Sequence, residues 1–306
     1  MKLMAVRRLR HLLWALAAGM LVTCCPCTAA RCGVASGSFR IPCRMQTHGR
    51  TWLDAAGEPS PLHSDAEILD YLRTAKVVSS RKLAEGVGGA FKLLLEREGI
   101  RMHAIFRHLR ERRTAVLPTG RSIEHRDDYL FEPAAFELSR MLGLDNVPPA
   151  LVRRIKGREG SLQIWIGGSF TEKRRLEEGM KAPDEERIRL EYQIMGVFDN
   201  LIYNDDRNRG NILFDSSWKL WMIDHTRAFR PNEELPYPGA FSRCESALYE
   251  RLKRLDQTTL RERMASYLEP AQIQGLLERR KALIERLEVL IEDEGESAVL
   301  FQLRPD

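Results

Sequence analysis

Asn204-Asp205-Asp206-Arg207-Asn208-Arg209-Gly210-Asn211, followed by Trp221-Met222-Ile223-Asp224, is the stretch that decides how this chain is read. Two readings compete for it. Asp, Asn and Gly cluster in surface turns, because they tolerate left-handed backbone and hydrogen-bond to their own main chain. The other reading is chemical. Asp206 and Asn211 stand five residues apart, and Asp224 follows thirteen residues after Asn211 at the end of an apolar run. Phosphoryl transfer from ATP needs such a set: one carboxylate to orient the attacking hydroxyl, and an amide and a second carboxylate to hold Mg²⁺ on the phosphates. A calcium loop is excluded. With Gly210 at its sixth position, Arg207 would take the third, where an oxygen ligand is required.

The flanking sequence favours the chemical reading. Leu190, Ile194, Val197, Phe198, Leu201 and Ile202 recur at helical spacing, so a helix runs from Pro183 to about Tyr203. After the loop, two short apolar runs at 211–214 and 219–223 are joined by a turn at Asp215-Ser216-Ser217 and read as a hairpin. The order is therefore helix, loop, hairpin, Asp224.

Further towards the N-terminus the pattern is mainly β. Ser64-Asp65-Ala66-Glu67 is a capping box that opens a helix through about Ala75, with Ile68, Leu69 and Leu72 on one face. A β region follows: Lys82-Leu83-Ala84, the glycine-rich Glu85-Gly86-Val87-Gly88-Gly89, a strand over 91–95, a turn at Glu98-Gly99 and a returning strand over 101–106. Residues 127–142 show helical spacing, with Pro133 tolerated only near the helix start. Strands at 151–155 and 162–166 flank a turn at 157–160, and Gly167-Gly168 reads as a hinge. Residues 231–243 read as loop. From Glu245 onward the chain is helical, with breaks near Asp256 and at Glu269-Pro270. Leu276, Leu277, Leu283, Ile284, Leu287, Leu290 and Ile291 form a packing stripe. The expected class is α+β with two lobes: a β-rich N-lobe over 64–168 and a mainly helical C-lobe over 169–306.

Length and composition suit that reading. The 306 residues can bury a proper core, and 43% hydrophobic with 30% charged residues is a globular balance. The net charge of +5 is misleading, because Lys2, Arg7, Arg8 and Arg10 lie in the first 30 residues, which hold no acid. That leaves 44 basic against 43 acidic residues, so total charge gives no support for nucleic-acid or membrane-surface binding. The same 30 residues read as a signal peptide: a basic start, an apolar run from Leu12 to Val22, and Thr28-Ala29-Ala30 as the cleavage site. The run is too short to span a bilayer, so no stable membrane span is expected after cleavage. Leu21-Val22-Thr23-Cys24 is a poor fit to a lipid-attachment box. A start at Met45 is the alternative, and would make the protein cytoplasmic rather than exported. Residues 31–63 read as a linker or irregular extension. Cleavage would leave Cys32, Cys43 and Cys244, of which Cys32 and Cys43 could close a small loop in an oxidising compartment.

From about Lys82 to Phe229 these motifs resemble the atypical kinases: phosphatidylinositol 3-/4-kinases, HipA-type kinases and secretory-pathway protein kinases, and among them small bacterial phosphatidylinositol-kinase-like proteins. The resemblance rests on Asp206-Arg207 through Asn211, with the Asp-to-Asn spacing of the kinase catalytic loop, and on Ile223-Asp224-His225. Those kinases carry Asp-Arg-His where this chain has Asp206-Arg207-Asn208. The resemblance implies a two-lobed kinase-like fold using ATP and Mg²⁺. Asp206 would be the catalytic Asp, with Asp205 as the neighbouring competitor, and Asn211 and Asp224 would bind the metal. Arg207 would brace the loop through an ion pair. Gly86, Gly88 and Gly89 would cover the phosphates, although an ordinary hairpin turn reads the same way. Arg107 stands where these kinases carry the phosphate-binding Lys, and Glu132 where they carry its partner. The competing reading of Arg107 is a solvated strand-end charge beside Arg110, Arg112 and Arg113. Lys92 could supply the missing ammonium. Residues 163–168 would be the adenine hinge.

Two further basic runs, Arg153-Arg154-Lys156-Arg158 and Lys173-Arg174-Arg175, read as solvated faces, with a docking patch for an acidic substrate as the minority reading. The function expected is an ATP- and Mg²⁺-dependent phosphotransferase acting on a hydroxyl, with a protein or small-molecule acceptor favoured over a lipid. A pseudokinase scaffold is the alternative, supported by Arg107, Pro133 and Asn208. A secreted domain with no nucleotide is the third.

Overall fold

The computed structural model describes residues 51–83, 89–116 and 122–303. The signal segment, Cys32, Cys43, Met45, Gly86 and Gly88 lie outside the described residues. The chain begins with an irregular segment and then forms α1 (Asp65–Thr74), β1 (Lys76–Lys82), β2 (Phe91–Arg97) and β3 (Ile100–Arg107). A hairpin of β4 (Arg110–Val116) and β5 (Ser122–Asp128) follows, then α2 (Phe131–Met141), β6 (Ala150–Ile155) and β7 (Arg158–Ile164). Past Gly167 come β8 (Phe170–Thr171), α3 (Glu172–Glu177), α4 (Glu185–Ile202) and the hairpin β9 (Ile212–Phe214) and β10 (Leu220–Met222). The chain closes with β11 (Cys244–Glu245), α5 (Ser246–Arg254), α6 (Gln257–Met264), α7 (Pro270–Glu294), α8 (Glu296–Val299) and β12 (Leu300–Phe301).

The N-lobe is an antiparallel sheet in the order β1-β2-β3-β7-β6. Side chains alternate between its faces. Leu93, Leu95, Met102, Ala104 and Phe106 turn inward and are buried with Ile68, Tyr71 and Leu72 of α1. Period two then sends Lys92, Ile105 and Arg107 to the other face, where Lys92 stands opposite Ile105 in register. The predicted capping box is formed: Ser64 accepts from the Glu67 N–H while Glu67 accepts from Ser64. Arg153 closes the other end of α1, donating to the Leu72 and Ala75 carbonyls at 2.7 Å each. Residues 51–63 hold a single bridge, Leu53 to Pro59, yet they are packed. Trp52 is buried against Trp221 with ring centroids 5.6 Å apart. Leu53 covers Gly167 and Gly168, and Gly168 adopts φ +66°, which a side chain would strain.

The C-lobe core gathers α2, α4, the β9–β10 hairpin and α7, where Leu276, Leu283 and Leu287 of the predicted stripe are buried. Arg279 of α7 is also fully buried. It donates to the Leu201 carbonyl at 2.8 Å and the Arg230 carbonyl at 2.9 Å, and burial pushes it down to about 10. Gln272 donates to the Phe229 carbonyl at 2.7 Å. Gly275 allows this approach: a Cβ there would lie 2.6 Å from the Pro231 oxygen. Thus α7 pins the segment that follows Asp224.

One helix start differs from the sequence reading. Asp127 and Asp128 end β5 opposite Glu111 and Arg110, and α2 begins only at Phe131. Acidic residues ahead of an apolar run resemble a helix N-terminus, but here the strand pairing claims them. Pro133 falls in the first turn of α2, where its missing N–H costs nothing.

Candidate functional site

The loop at 204–211 is held by one buried ion pair. Arg207 reaches Asp199 of α4 twice, Nε to Oδ2 at 2.9 Å and Nη2 to Oδ1 at 3.0 Å. Its Nη1 donates to the carbonyls of Asn211 and Ile223, both at 2.7 Å. One guanidinium therefore ties the helix, the loop and the far end of the hairpin together, as a five-donor fork can and an ammonium cannot. Asn204 adds a bond to Asp199 Oδ1 at 2.9 Å, and Asn211 Nδ2 donates to the Asp206 carbonyl at 3.1 Å. Tyr203 ends α4 in left-handed backbone at φ +51°.

These ties bring Asp206, Asn211 and Asp224 to the wall of one cavity of about 860 Å³, within the usual range for small-molecule sites. Leu83, Ala90 and Ile105 form its apolar roof, Leu213 and Ile223 its floor, and residues 163–166 its back. Gly89 adopts φ +62° just beyond the glycine-rich loop, whose base is closed by Leu83 N–H donating to Ala90 O at 2.9 Å. Asp205 faces elsewhere, paired with Arg230. Asp224 adopts φ +58°, an uncommon conformation for a non-glycine residue and one that clusters at functional sites.

Arg107 is buried and bridges two carboxylates. Its Nη1 lies 3.3 Å from Glu132 Oε1 and its Nη2 lies 3.3 Å from Asp224 Oδ2. The first is a charge contact without hydrogen-bond alignment. Burial opposes the charge on Arg107, and Asp224 and Glu132 together outweigh it. Glu132, fully buried on α2, is a hub. It also accepts from Gln163 Nε2 at 3.2 Å and from the His225 N–H at 3.3 Å, and it meets His225 Nδ1 at 3.3 Å. Burial alone would raise the Glu132 carboxyl, but Arg107 and then His225 hold it below the usual carboxylate range.

Lys92 does not join this group. Its ammonium lies 4.1 Å from the centroid of the Trp165 ring, because its place opposite Ile105 sets it two residues from the strand position facing Arg107. The basic runs are engaged locally: Arg154 with Glu159, Arg158 with His108, Lys173 with Glu177, Arg174 with Glu178 and Arg175 with Glu172.

Asn211 and Asp224 offer hard oxygen donors, which suit Mg²⁺. The Asn211 amide nitrogen is used, and its oxygen has no protein donor among the described residues. No cluster of three or more His, Cys, Asp or Glu able to hold a metal occurs among those residues. A small donor set fits a cation that takes its remaining ligands from phosphates and water.

Solved structures share this arrangement of elements. Hydra Fam20 with sugar aligns at TM-score 0.60 and 18% identity, covering 79% of this chain and 94% of that one. The Golgi casein kinase aligns at 0.58 and 15%, covering 79% of each chain. Its form with Mn/ADP bound aligns at 0.56 and 16%, covering 79% and 80%. The chain has a two-lobed, protein kinase-like fold. No family model and no curated protein sequence matches it.

Within the kinase-like fold, three residues that the sequence reading passed over belong to the site. Asp199 anchors Arg207. Arg227 lies with Nη1 3.3 Å from Asp206 Oδ2 and Nε 3.5 Å from Asp127 Oδ2. Asp127 is buried in the cavity wall, and burial raises its carboxyl against the pull of Thr226 and Arg227. Asp199 carries a readable signal, being an acid within the apolar run that ends α4. Arg227 and Asp127 carry none, since their meeting depends on the β4–β5 hairpin.

Proposed function

We propose that the chain is an ATP-dependent phosphotransferase that delivers the γ-phosphoryl group to a hydroxyl, on a protein or small molecule rather than a lipid. The observation that carries this reading is the convergence of Asp206, Asn211 and Asp224 on a cavity also lined by Arg107, which Glu132 backs from the buried side. Asp206 orients the acceptor hydroxyl. The hydroxyl oxygen bonds to the γ-phosphorus, the bond from that phosphorus to the β–γ bridging oxygen breaks, ADP leaves with the electron pair, and Asp206 takes the proton. Asn211 and Asp224 hold a divalent cation, Mg²⁺ in this reading, which when bound neutralises charge on the phosphate oxygens. Arg107 takes the place of the phosphate-binding Lys, and the loop bearing Gly86, Gly88 and Gly89 covers the phosphates. In this reading the lobes divide at 168–169 along the chain, and α2 of the N-lobe packs against the C-lobe core.

The Mn/ADP complex of the Golgi casein kinase supports nucleotide and divalent-metal use. The N-terminal composition and the Golgi neighbours support export, and no helix among the described residues is long and apolar enough to cross a membrane. A second reading, a scaffold that holds nucleotide without transfer, is favoured by Arg107 lying directly on Asp224.

A thermal-shift titration with ATP, with and without Mg²⁺, tests the proposal on wild type and Asp224→Ala. Ligand at a hundredfold excess over Kd adds about 2.7 kcal/mol, or roughly 5–10 °C for a domain of this size. A metal-dependent rise that the variant loses supports the reading. A flat response in folded wild type refutes it.

A further inference from the structure

We propose that Arg227 grips the γ-phosphoryl group of ATP, standing between Asp206 and Asp127 until the nucleotide arrives. This inference rests on the phosphotransferase reading and adds to it a residue that touches the transferred group.

Charge develops on the equatorial oxygens during transfer, and a positioned cation stabilises it. The loop at 204–211 supplies no ammonium close to Asp206: two residues on stands neutral Asn208, turned into its own bonds with the Asp206 carbonyl and the Gly210 N–H. Arg107 sits deeper, between Glu132 and Asp224. Lys173 is exposed beside Glu177. Arg81 and Lys82 come from the end of β1 on the opposite lobe. Lys92 is at Trp165.

Arg227 has the position. Its Nη1 is 3.3 Å from Asp206 Oδ2. A hydroxyl bound to Asp206 lies about 2.7 Å from the carboxylate and roughly 3–3.5 Å from the phosphorus it attacks. The guanidinium and the phosphoryl group therefore share the surroundings of one carboxylate. The segment carrying Arg227 is fixed, since the Asp128 N–H donates to the Thr226 carbonyl at 2.8 Å and α7 pins Phe229. The side chain itself is loosely held. Its contacts of 3.3 and 3.5 Å are long for charge-assisted bonds, and five donors leave capacity for phosphoryl oxygens. When the γ-phosphoryl group enters, Arg227 turns to it, Asp127 keeps the guanidinium aimed, and the Asp206 oxygen is released for the acceptor.

The test is calorimetric titration of the full chain with ATP and with ADP, first in EDTA, so that any preference for ATP owes nothing to metal. Wild type is expected to bind ATP roughly tenfold more tightly than ADP, the size of one charge-assisted contact. Arg227→Met and Arg227→Gln are expected to bring ATP down to the ADP affinity and leave ADP unchanged. The metal-free wild-type ratio is read first and stands without any variant: equal ATP and ADP affinities overturn the proposal. Equal weakening of both nucleotides in the variants, or an unchanged ratio, also overturns it and assigns Arg227 a structural role. Failure of wild type to bind either nucleotide with Mg²⁺ present refutes the phosphotransferase reading itself, which is a different result from binding both equally.

Discussion

Replacing Arg207 with Met tests whether one guanidinium holds the loop at 204–211. Its side chain and that of Asp199 are each only 8% exposed, so the pair is desolvated. Removing the cation leaves the Asp199 carboxylate buried with Asn204 Nδ2 as its one remaining side-chain donor in the loop. The carbonyls of Asn211 and Ile223 each lose a donor at 2.7 Å. Breaking a buried pair from one side costs about 3–5 kcal/mol. At roughly 2–4 °C per kcal/mol for a domain of this size, Tm should fall by about 6–20 °C. Removing the charge from both sides, with Asp199→Asn and Arg207→Met together, should cost less than the sum of the single changes, because no uncompensated carboxylate remains. Urea unfolding of the four proteins in a double-mutant cycle measures this coupling. Nucleotide affinity should fall in both Arg207 variants, since Asn211 and Asp224 lose their common brace. A single-variant loss near 1 kcal/mol, the size of an exposed pair, with unchanged ATP binding, would refute the argument.

Three further outcomes follow from other buried groups. Burial raises Glu191 from 4.5 to about 7 against the opposing effect of the Leu220 N–H. Between pH 4.5 and about 7 the folded chain keeps a proton that the unfolded chain has released, so this residue lowers stability as pH rises through that window. Glu191→Gln keeps an acceptor for Leu220 and should add about 1–3 kcal/mol at pH 8 and nothing at pH 4; superimposable urea curves at pH 8 would sink this account. Arg107→Met leaves fully buried Glu132 without its cation and should destabilise by about 3 kcal/mol or more, whereas Arg107→Lys should recover most of that, as read by Tm. Cys244 is fully buried and its thiol is pushed up to about 12 by burial, so alkylation at pH 8 mapped by mass spectrometry should spare it in the native protein and reach it in urea.

The fold was most legible where one signal acted alone. The α1 capping box, the breaks before α6 and α7, and the β9–β10 hairpin follow from caps, Pro and short apolar runs around a turn, all within a few positions of one another. The β4–β5 hairpin was not legible. Its strands, Arg110–Val116 and Ser122–Asp128, are charged at eight of their fourteen positions and lack the apolar alternation that marks a strand. The segment at 51–63 reads as a linker or irregular extension. It is irregular, and no signal in its sequence shows that Trp52 and Leu53 tie it to Trp221 and the Gly167–Gly168 turn.

The site divides along the same physical line. Asp206, Asn211 and Asp224 are close in sequence, so spacing alone suggested that they meet, and the bracing by Arg207 sits inside the same stretch. Arg107 and Glu132 were paired only by resemblance, and the structure gives that pair a third member: Asp224, on the far side of the same guanidinium. Sequence could not supply this, because the contact depends on β3, α2 and the end of β10 converging in space. It also sets the order of events at the site. A cation that enters at Asp224 must share or displace a permanently charged guanidinium already 3.3 Å away. If Asp224 takes the proposed cation, Glu132 is the group able to keep Arg107: Arg107 and then His225 hold its carboxyl below the usual carboxylate range, and it also accepts from Gln163 Nε2 at 3.2 Å. A Glu132→Gln variant should therefore leave Arg107 bound to Asp224 and weaken metal-dependent nucleotide binding far more than metal-free binding. Equal loss in the two conditions would show that Glu132 serves only to pack α2.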